Sequence, residues 1–116
     1  MNTFVKKPWG TYQVLDQGKN YLTKKIYVKP NGKLSLQSHQ HRSEHWIVVE
    51  GIAEVTIGEK IVILISNQSI LIPKTTKHRL ANNHKNNLII IEVWYGEILK
   101  EDDIIRYDDI YARDLV

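Results

Sequence analysis

Three of the five histidines, His39, His41 and His45, fall within seven residues, and Glu44 lies among them. In extended backbone, successive side chains alternate between faces, so Gln37, His39 and nominally His41 share one side of a strand. After a short turn, Glu44, Trp46 and Val48 share a face of the next strand. An amide oxygen, an imidazole and a carboxylate converging from adjacent strands make a mixed N/O donor set. Such a set suits a divalent ion, Zn²⁺ first, with Mn²⁺, Co²⁺ or Fe²⁺ as alternatives. A further imidazole is available downstream, where His78 follows Pro73-Lys-Thr-Thr-Lys77.

Basic side chains adjoin both stretches. Arg42 and Arg79 could hold a phosphate in a bidentate fork, or stabilise an anionic intermediate by fixed charge. A salt bridge to an acid of the C-terminal tail is the alternative for each. Lys74 and Lys77, in the loop before His78, are further phosphate partners. His41 is the candidate general base, because imidazole titrates near neutrality. His45 falls on the face opposite Glu44, which suits packing or surface. His84 lies in a polar turn, and Asn82 is better placed to bond backbone than metal.

The elements that must position these groups are short. Tyr21 to Val28 alternates, with Leu22, Ile26 and Val28 on one face and Thr23, Lys25 and Tyr27 on the other. Lys29-Pro-Asn-Gly32 and Gly58-Glu-Lys60 read as turns, and Leu88 to Tyr95 as a last long strand carrying Leu88, Ile90, Glu92 and Trp94 on one face. Strands and turns recur every eight to twelve residues with almost no helical period, which argues for an all-β sandwich or barrel. Trp9 is expected to plug one end of its core. Ile61 to Ile65 is wholly apolar, fitting a strand buried between layers or at a subunit contact. Only the tail departs: Glu101 to Tyr111 opens with acids and spaces Ile104, Tyr107 and Tyr111 for a short amphipathic helix or turn on the barrel's outside.

Composition bounds the rest. With 116 residues there is room for one domain, taken as 1–116, and one core. The chain has no cysteine, so it offers neither a disulfide framework nor a thiolate ligand. No run approaches a membrane span and the N-terminus lacks an apolar signal region, so a cytoplasmic protein without a membrane partner is expected. The net charge of +3 hides an asymmetry: residues 1–96 hold 13 Lys/Arg against six acids, and from Glu97 onward seven acids face three bases. A basic body suits an anionic small ligand. The bases form no stripe and no nucleic-acid motif occurs, which argues against a nucleic-acid partner.

Gln37-x-His39-x₄-Glu44-x₆-Gly51 and Asn67-x₅-Pro73-x-Thr75-x₂-His78-x₃-Asn82 resemble, in order, the two motifs of the cupin superfamily. Gln replaces the first histidine, and Asn67 and Thr75 stand where the superfamily has glycine. Lys7-Pro-Trp-Gly-Thr-Tyr12, Leu34-Ser-Leu-Gln37, His41-Arg-Ser-Glu-His-Trp46, Ile72-Pro73, His78-Arg-Leu80 and Glu101-Asp-Asp-Ile104 narrow this to the type II mannose-6-phosphate isomerase domain. That domain usually follows a guanylyltransferase portion, which this sequence does not contain.

The resemblance implies a double-stranded β-helix (jelly-roll) barrel. It implies a metal held by Gln37, His39, Glu44 and His78, and interconversion of mannose 6-phosphate and fructose 6-phosphate through an enediol(ate). His41, Arg42 and Arg79 would serve catalysis, with Arg42, Lys74 or Lys77 on the phosphate. Two other readings stand beside this one. The chain could bind metal and sugar without catalysis, as partner of a separate nucleotidyltransferase, or it could be a metal-dependent oxygenase. Free barrel edges and the Ile61–Ile65 run favour a homodimer.

Overall fold

The computed structural model describes residues 4–111; residues 1–3 and 112–116, the ends of the expected domain, lie outside the described residues. Eleven strands fill that span: β1 Phe4–Lys7, β2 Gly10–Gln17, β3 Tyr21–Val28, β4 Leu36–Ser38, β5 Ser43–Glu50, β6 Ala53–Ile57, β7 Lys60–Leu64, β8 Ser69–Ile72, β9 His78–Ala81, β10 Leu88–Tyr95 and β11 Ile105–Asp108. They form two antiparallel sheets, one in the order β1-β2-β3-β10-β5-β8 and the other β11-β4-β9-β6-β7. No α-helix occurs among the described residues, so the expected all-β jelly roll stands. No helix is long and apolar enough to cross a membrane.

The period-2 pattern decides which side chains meet. Ile26 and Val28 of β3, Trp46 and Val48 of β5, and Leu88 and Ile90 of β10 face Val55 of β6 and Leu80 of β9, and all are buried in one cluster with Trp9. Fully burying each such side chain contributes about 1.5–3 kcal/mol. The same inward faces change character towards one end. There Lys24, Glu44, His78 and Glu92 take the inward positions, and they too are buried. A continuous apolar core thus gives way to a charged chamber at one mouth of the barrel.

Two expectations are corrected. The tail forms turns at 101–102 and 110–111 and no helix, and between them Ile105–Asp108 extends along β4, with Ile105 opposite Ser38 and Arg106 opposite Gln37. Pairing an open sheet edge gives these residues backbone partners that a one-turn helix could not supply. Nor is Ile61–Ile65 buried between layers. β7 is an edge strand whose Leu64 points inward, while Ile61, Ile63 and Ile65 are more than half exposed.

The two positions where glycine was expected explain themselves. Asn67 has φ 73° and Thr75 φ 65°, both in the left-handed region that glycine enters without cost. The backbone keeps the conformation of the motif while the sequence has lost the residue that suits it. For β-branched Thr75 this is strain.

Candidate metal and substrate site

Both sheets contribute donors. Gln37 on β4 is the register partner of His78 on β9, and His39 follows at the end of β4. Glu44 comes across from the other sheet, on β5 between Ile72 of β8 and Trp94 of β10. One donor atom from each of His39, Glu44 and His78 lies within 4.8 Å of the others, and all three residues are buried. Gln37 lines the same cavity and spends its amide nitrogen on Ser35, at 3.0 Å to Oγ and 3.3 Å to the carbonyl.

The imidazoles are oriented from behind. His39 Nδ1 donates to the Asp103 carbonyl at 2.7 Å, and His78 Nδ1 to the Thr76 carbonyl at 2.8 Å. A carbonyl only accepts, so each neutral ring carries its hydrogen on Nδ1 and presents the bare Nε2 lone pair. Burial keeps both rings neutral, pushing His39 down to about 4 and lowering His78, despite the opposing pull of Glu44. Burial alone would raise Glu44, but the Arg42 guanidinium holds its carboxyl below the usual value.

These states test the fit of a cation. His39 Nε2 lies 3.1 Å from Glu44 Oε2, so a lone pair faces an ionised carboxylate oxygen in a buried chamber. Two acceptors at that distance repel unless positive charge lies against them. Arg42 supplies part of it, with Nε 2.8 Å from the same oxygen and Nη2 3.3 Å from His39 Nε2. Two neutral imidazole nitrogens, a carboxylate and an amide, each fixed by a second hydrogen bond, form the donor set a divalent ion takes.

The cavity beside the donors is lined with charge. Arg42 stacks on Trp94 with its guanidinium carbon 3.3 Å from the ring centroid. Lys24 Nζ sits 4.0 Å from the Trp94 ring and 3.9 Å from that of Tyr12, bonded to Glu101 at 2.7 Å. Burial lowers Lys24 against the pull of Glu101 and Glu92. Opposite it in register stands Glu92, raised to about 8 by burial and by the charge of Glu44. Its Oε1 accepts from Trp94 Nε1 at 3.0 Å, as Glu44 Oε1 accepts from Trp46 Nε1 at 2.9 Å. Lys7 and Arg106 complete the basic lining.

The structure therefore brings Gln37, His39, Arg42, Glu44 and His78 together. It does not bring the other expected residues to them. His41 is exposed and lines a separate cleft with Lys74 and Tyr95. Lys77 is exposed, its Nζ 4.2 Å from the Tyr107 ring. Arg79 donates to the Leu34 carbonyl and pairs with Asp108 at 2.8 Å, the tail-acid alternative. Asn82 clamps a turn, donating to the carbonyls of Val28, Lys29 and Asn86. Sequence reasoning missed Lys24, Glu92 and Glu101. Two signals pointed to the first two: a lysine on an otherwise apolar alternating face, and the repeat of Glu44-x-Trp46 as Glu92-x-Trp94.

A jelly roll with a His-Glu-His cluster at one mouth and a charged chamber beside it is a cupin with the donors of a metal centre. Residues 1–109 match the family model described as "Mannose-6-phosphate isomerase C-terminal", and the chain belongs to that family. It is 52% identical over 109 residues to "Xanthan biosynthesis protein XanB" of Xanthomonas campestris pv. campestris, covering 94% of this chain and 23% of the relative. To "Mannose-1-phosphate guanylyltransferase ManC" of Salmonella typhimurium it is 47% identical over 113 residues, covering 97% and 24%. The chain thus spans under a quarter of the length of these relatives. Among solved structures, an RmlC-like cupin from Shewanella frigidimarina superposes with a TM-score of 0.77 at 22% identity, over 87% of each chain.

Proposed function

We propose that the chain is a metal-dependent aldose–ketose isomerase acting on mannose 6-phosphate and fructose 6-phosphate. One observation carries the reading: three ligand-type atoms within 4.8 Å adjoin a cavity whose lining includes Lys7, Lys24, Arg42 and Arg106, in a chain of the mannose-6-phosphate isomerase C-terminal family. The donors would hold the cation, and the bases suit a phosphorylated sugar.

Gln37, His39, Glu44 and His78 would hold the ion. When bound, it supplies Lewis-acid polarisation of the sugar oxygens. Arg42 is fixed by Glu44 and the face of Trp94, so its guanidinium can meet negative charge developing on a substrate oxygen without reorganising. Lys7 and Arg106, lining the cavity with side chains only half-buried, are placed for the phosphate. Lys74, Lys77 and Arg79 lie elsewhere and are not needed for it. Isomerisation also requires one group that carries a proton between C2 and C1, and exposed His41 is outside this cavity.

A coupled assay following fructose 6-phosphate formation from mannose 6-phosphate, with Zn²⁺, Mn²⁺, Co²⁺ and Fe²⁺ in turn, tests the reading. Turnover with at least one ion is expected. Binding of ion and sugar phosphate without turnover would instead make the chain a binding module. Oxygen consumption with Fe²⁺ would make it an oxygenase.

A further inference from the structure

We propose that Glu92 is the group that moves the proton between C2 and C1 of the sugar, and that Lys24, facing it in register across β3 and β10, positions and polarises its carboxylate. The proposal rests on the isomerase reading and names a residue that reading leaves open.

It follows from what the other buried titratable groups in the chamber are already doing. Glu44 has both oxygens committed, Oε1 to Trp46 and Oε2 to Arg42. Each ligand histidine has spent Nδ1 on a backbone carbonyl and offers Nε2 to the ion position. Arg42 cannot give up a proton. Burial raises Tyr12 above its already high ordinary value, so it makes no base near neutrality. Lys24 is pinned over two aromatic rings by Glu101. Glu92 has one oxygen on Trp94 Nε1, which fixes the plane of the carboxyl.

Its position suits the work. Glu92 pairs with Trp46 across β10 and β5, and Trp94 with Glu44, so Glu92 stands diagonally one row from Glu44. Diagonal neighbours in an antiparallel sheet have Cα atoms roughly 7–8 Å apart, within reach of long side chains. The two Glu-x-Trp segments are the same device used twice on neighbouring strands: an indole N–H orients a buried carboxyl. One carboxyl serves the ion position and its twin lies over the adjoining space. Lys24, Glu44, Arg42 and Glu101 are the charges that face Glu92. Lys24 and Arg42 favour its ionised form, while burial and Glu44 oppose it. Glu92 lines the cavity beside the donors, which places a carboxyl where it can accept and return a proton.

The step balances without an oxidant. The Glu92 carboxylate takes the C2 hydrogen as a proton; the C2–H pair becomes the C1=C2 bond, and the C1=O1 pair moves to O1, which takes up the proton that the neighbouring O2 hydroxyl releases. The Glu92 carboxylic acid then returns its proton to C1, the C1=C2 pair making the new C1–H bond while the pair left on O2 closes C2=O2.

Zinc-loaded wild type, Glu92→Gln, Glu92→Asp, Lys24→Met and Lys24→Arg are compared in D₂O with mannose 6-phosphate as probe. NMR follows exchange of the C2 hydrogen, and calorimetry follows sugar-phosphate binding and zinc stoichiometry. Glu92→Gln is expected to lose isomerisation and C2 exchange together, by about 10²–10⁴-fold, with zinc content intact and sugar affinity little changed. Glu92→Asp, which keeps the carboxyl one methylene short, should retain part of both activities. Lys24→Met should move the pH for half-maximal kcat upward, and Lys24→Arg should largely restore it. Wild-type exchange in Glu92→Gln overturns the proposal and leaves the isomerase reading standing. Loss of zinc or sugar binding in both Glu92 variants also overturns it. A zinc-loaded wild type that neither isomerises nor exchanges C2 overturns both.

Discussion

His39 Nε2 and Glu44 Oε2 approach to 3.1 Å inside a buried chamber, and that contact sets the first expectation. Removing either histidine donor should abolish tight ion binding. Elemental analysis of His39→Ala and His78→Ala should show loss of the bound divalent ion, and full occupancy in both would sink the site. Chelating the wild type should end activity yet keep the β circular dichroism, because the apolar core of both sheets supplies the main stabilisation. Collapse of that signal on chelation would mark the ion as structural.

Arg42 should matter most when the ion is absent. It is the guanidinium partner of the buried Glu44 carboxylate, and breaking a buried pair costs about 3–5 kcal/mol. Denaturation of ion-free Arg42→Ala should show a loss of that order. Zn²⁺ should recover much of it, giving a larger zinc-induced rise in Tm than in wild type. Arg42→Lys should rescue little, since the stack on Trp94 and the fork to Glu44 and His39 both need the planar group. Equal zinc responses in wild type and Arg42→Ala would show that the ion and the guanidinium do not share a role.

Glu92 gives the ion-free protein a pH dependence of definite sign. Its carboxyl moves from 4.5 to about 8 on folding, through burial and Glu44. A group raised in the folded state stabilises fully below its unfolded value and loses that contribution as pH climbs through the folded one. Chelated wild type should therefore lose about 2–4 kcal/mol between pH 5 and pH 8 relative to Glu92→Gln, at 1.36 kcal/mol per unit. Parallel stability curves for the two proteins would show that Glu92 is ionised throughout.

Thr75 holds φ 65° where its branched Cβ is disfavoured. Thr75→Gly should relieve strain of about 1–3 kcal/mol, less roughly 1 kcal/mol for the freedom glycine adds to the unfolded chain. Thermal unfolding should show an equal or higher midpoint. A clear drop would mean that the Thr75 Oγ1 bond to the Lys74 carbonyl outweighs the strain.

The strands were legible because half-buried sheets write a period of two, and the donors because metal ligands need particular atoms at particular offsets. Charged loop residues were not. Arg79 looks like a catalytic neighbour of His78, but adjacent residues on a strand point to opposite faces, and Arg79 reaches instead to Asp108 on β11. His41 fails in the same way: its strand ends at Ser38, so alternation no longer governs where it points. Lys24 and Glu92 were hidden by the reverse effect. Each sits on an otherwise apolar alternating face, but only register shows that the two stand against one another inside the barrel.

Residues 39–42 are gripped by the segment around Lys100 to Asp103. The Asp103 carbonyl takes the His39 proton, its carboxylate caps the Gln40 and His41 amides, and the Lys100 carbonyl takes Arg42 Nη1. A chain emerging from the ribosome exposes His39 some sixty residues before the segment that locks its tautomer. His39 gains its backbone partner only when that late segment docks, so capture of an ion at this site would be a closing event of biogenesis. In the finished protein, a single proteolytic nick near Lys100 would slacken the imidazole without removing any donor.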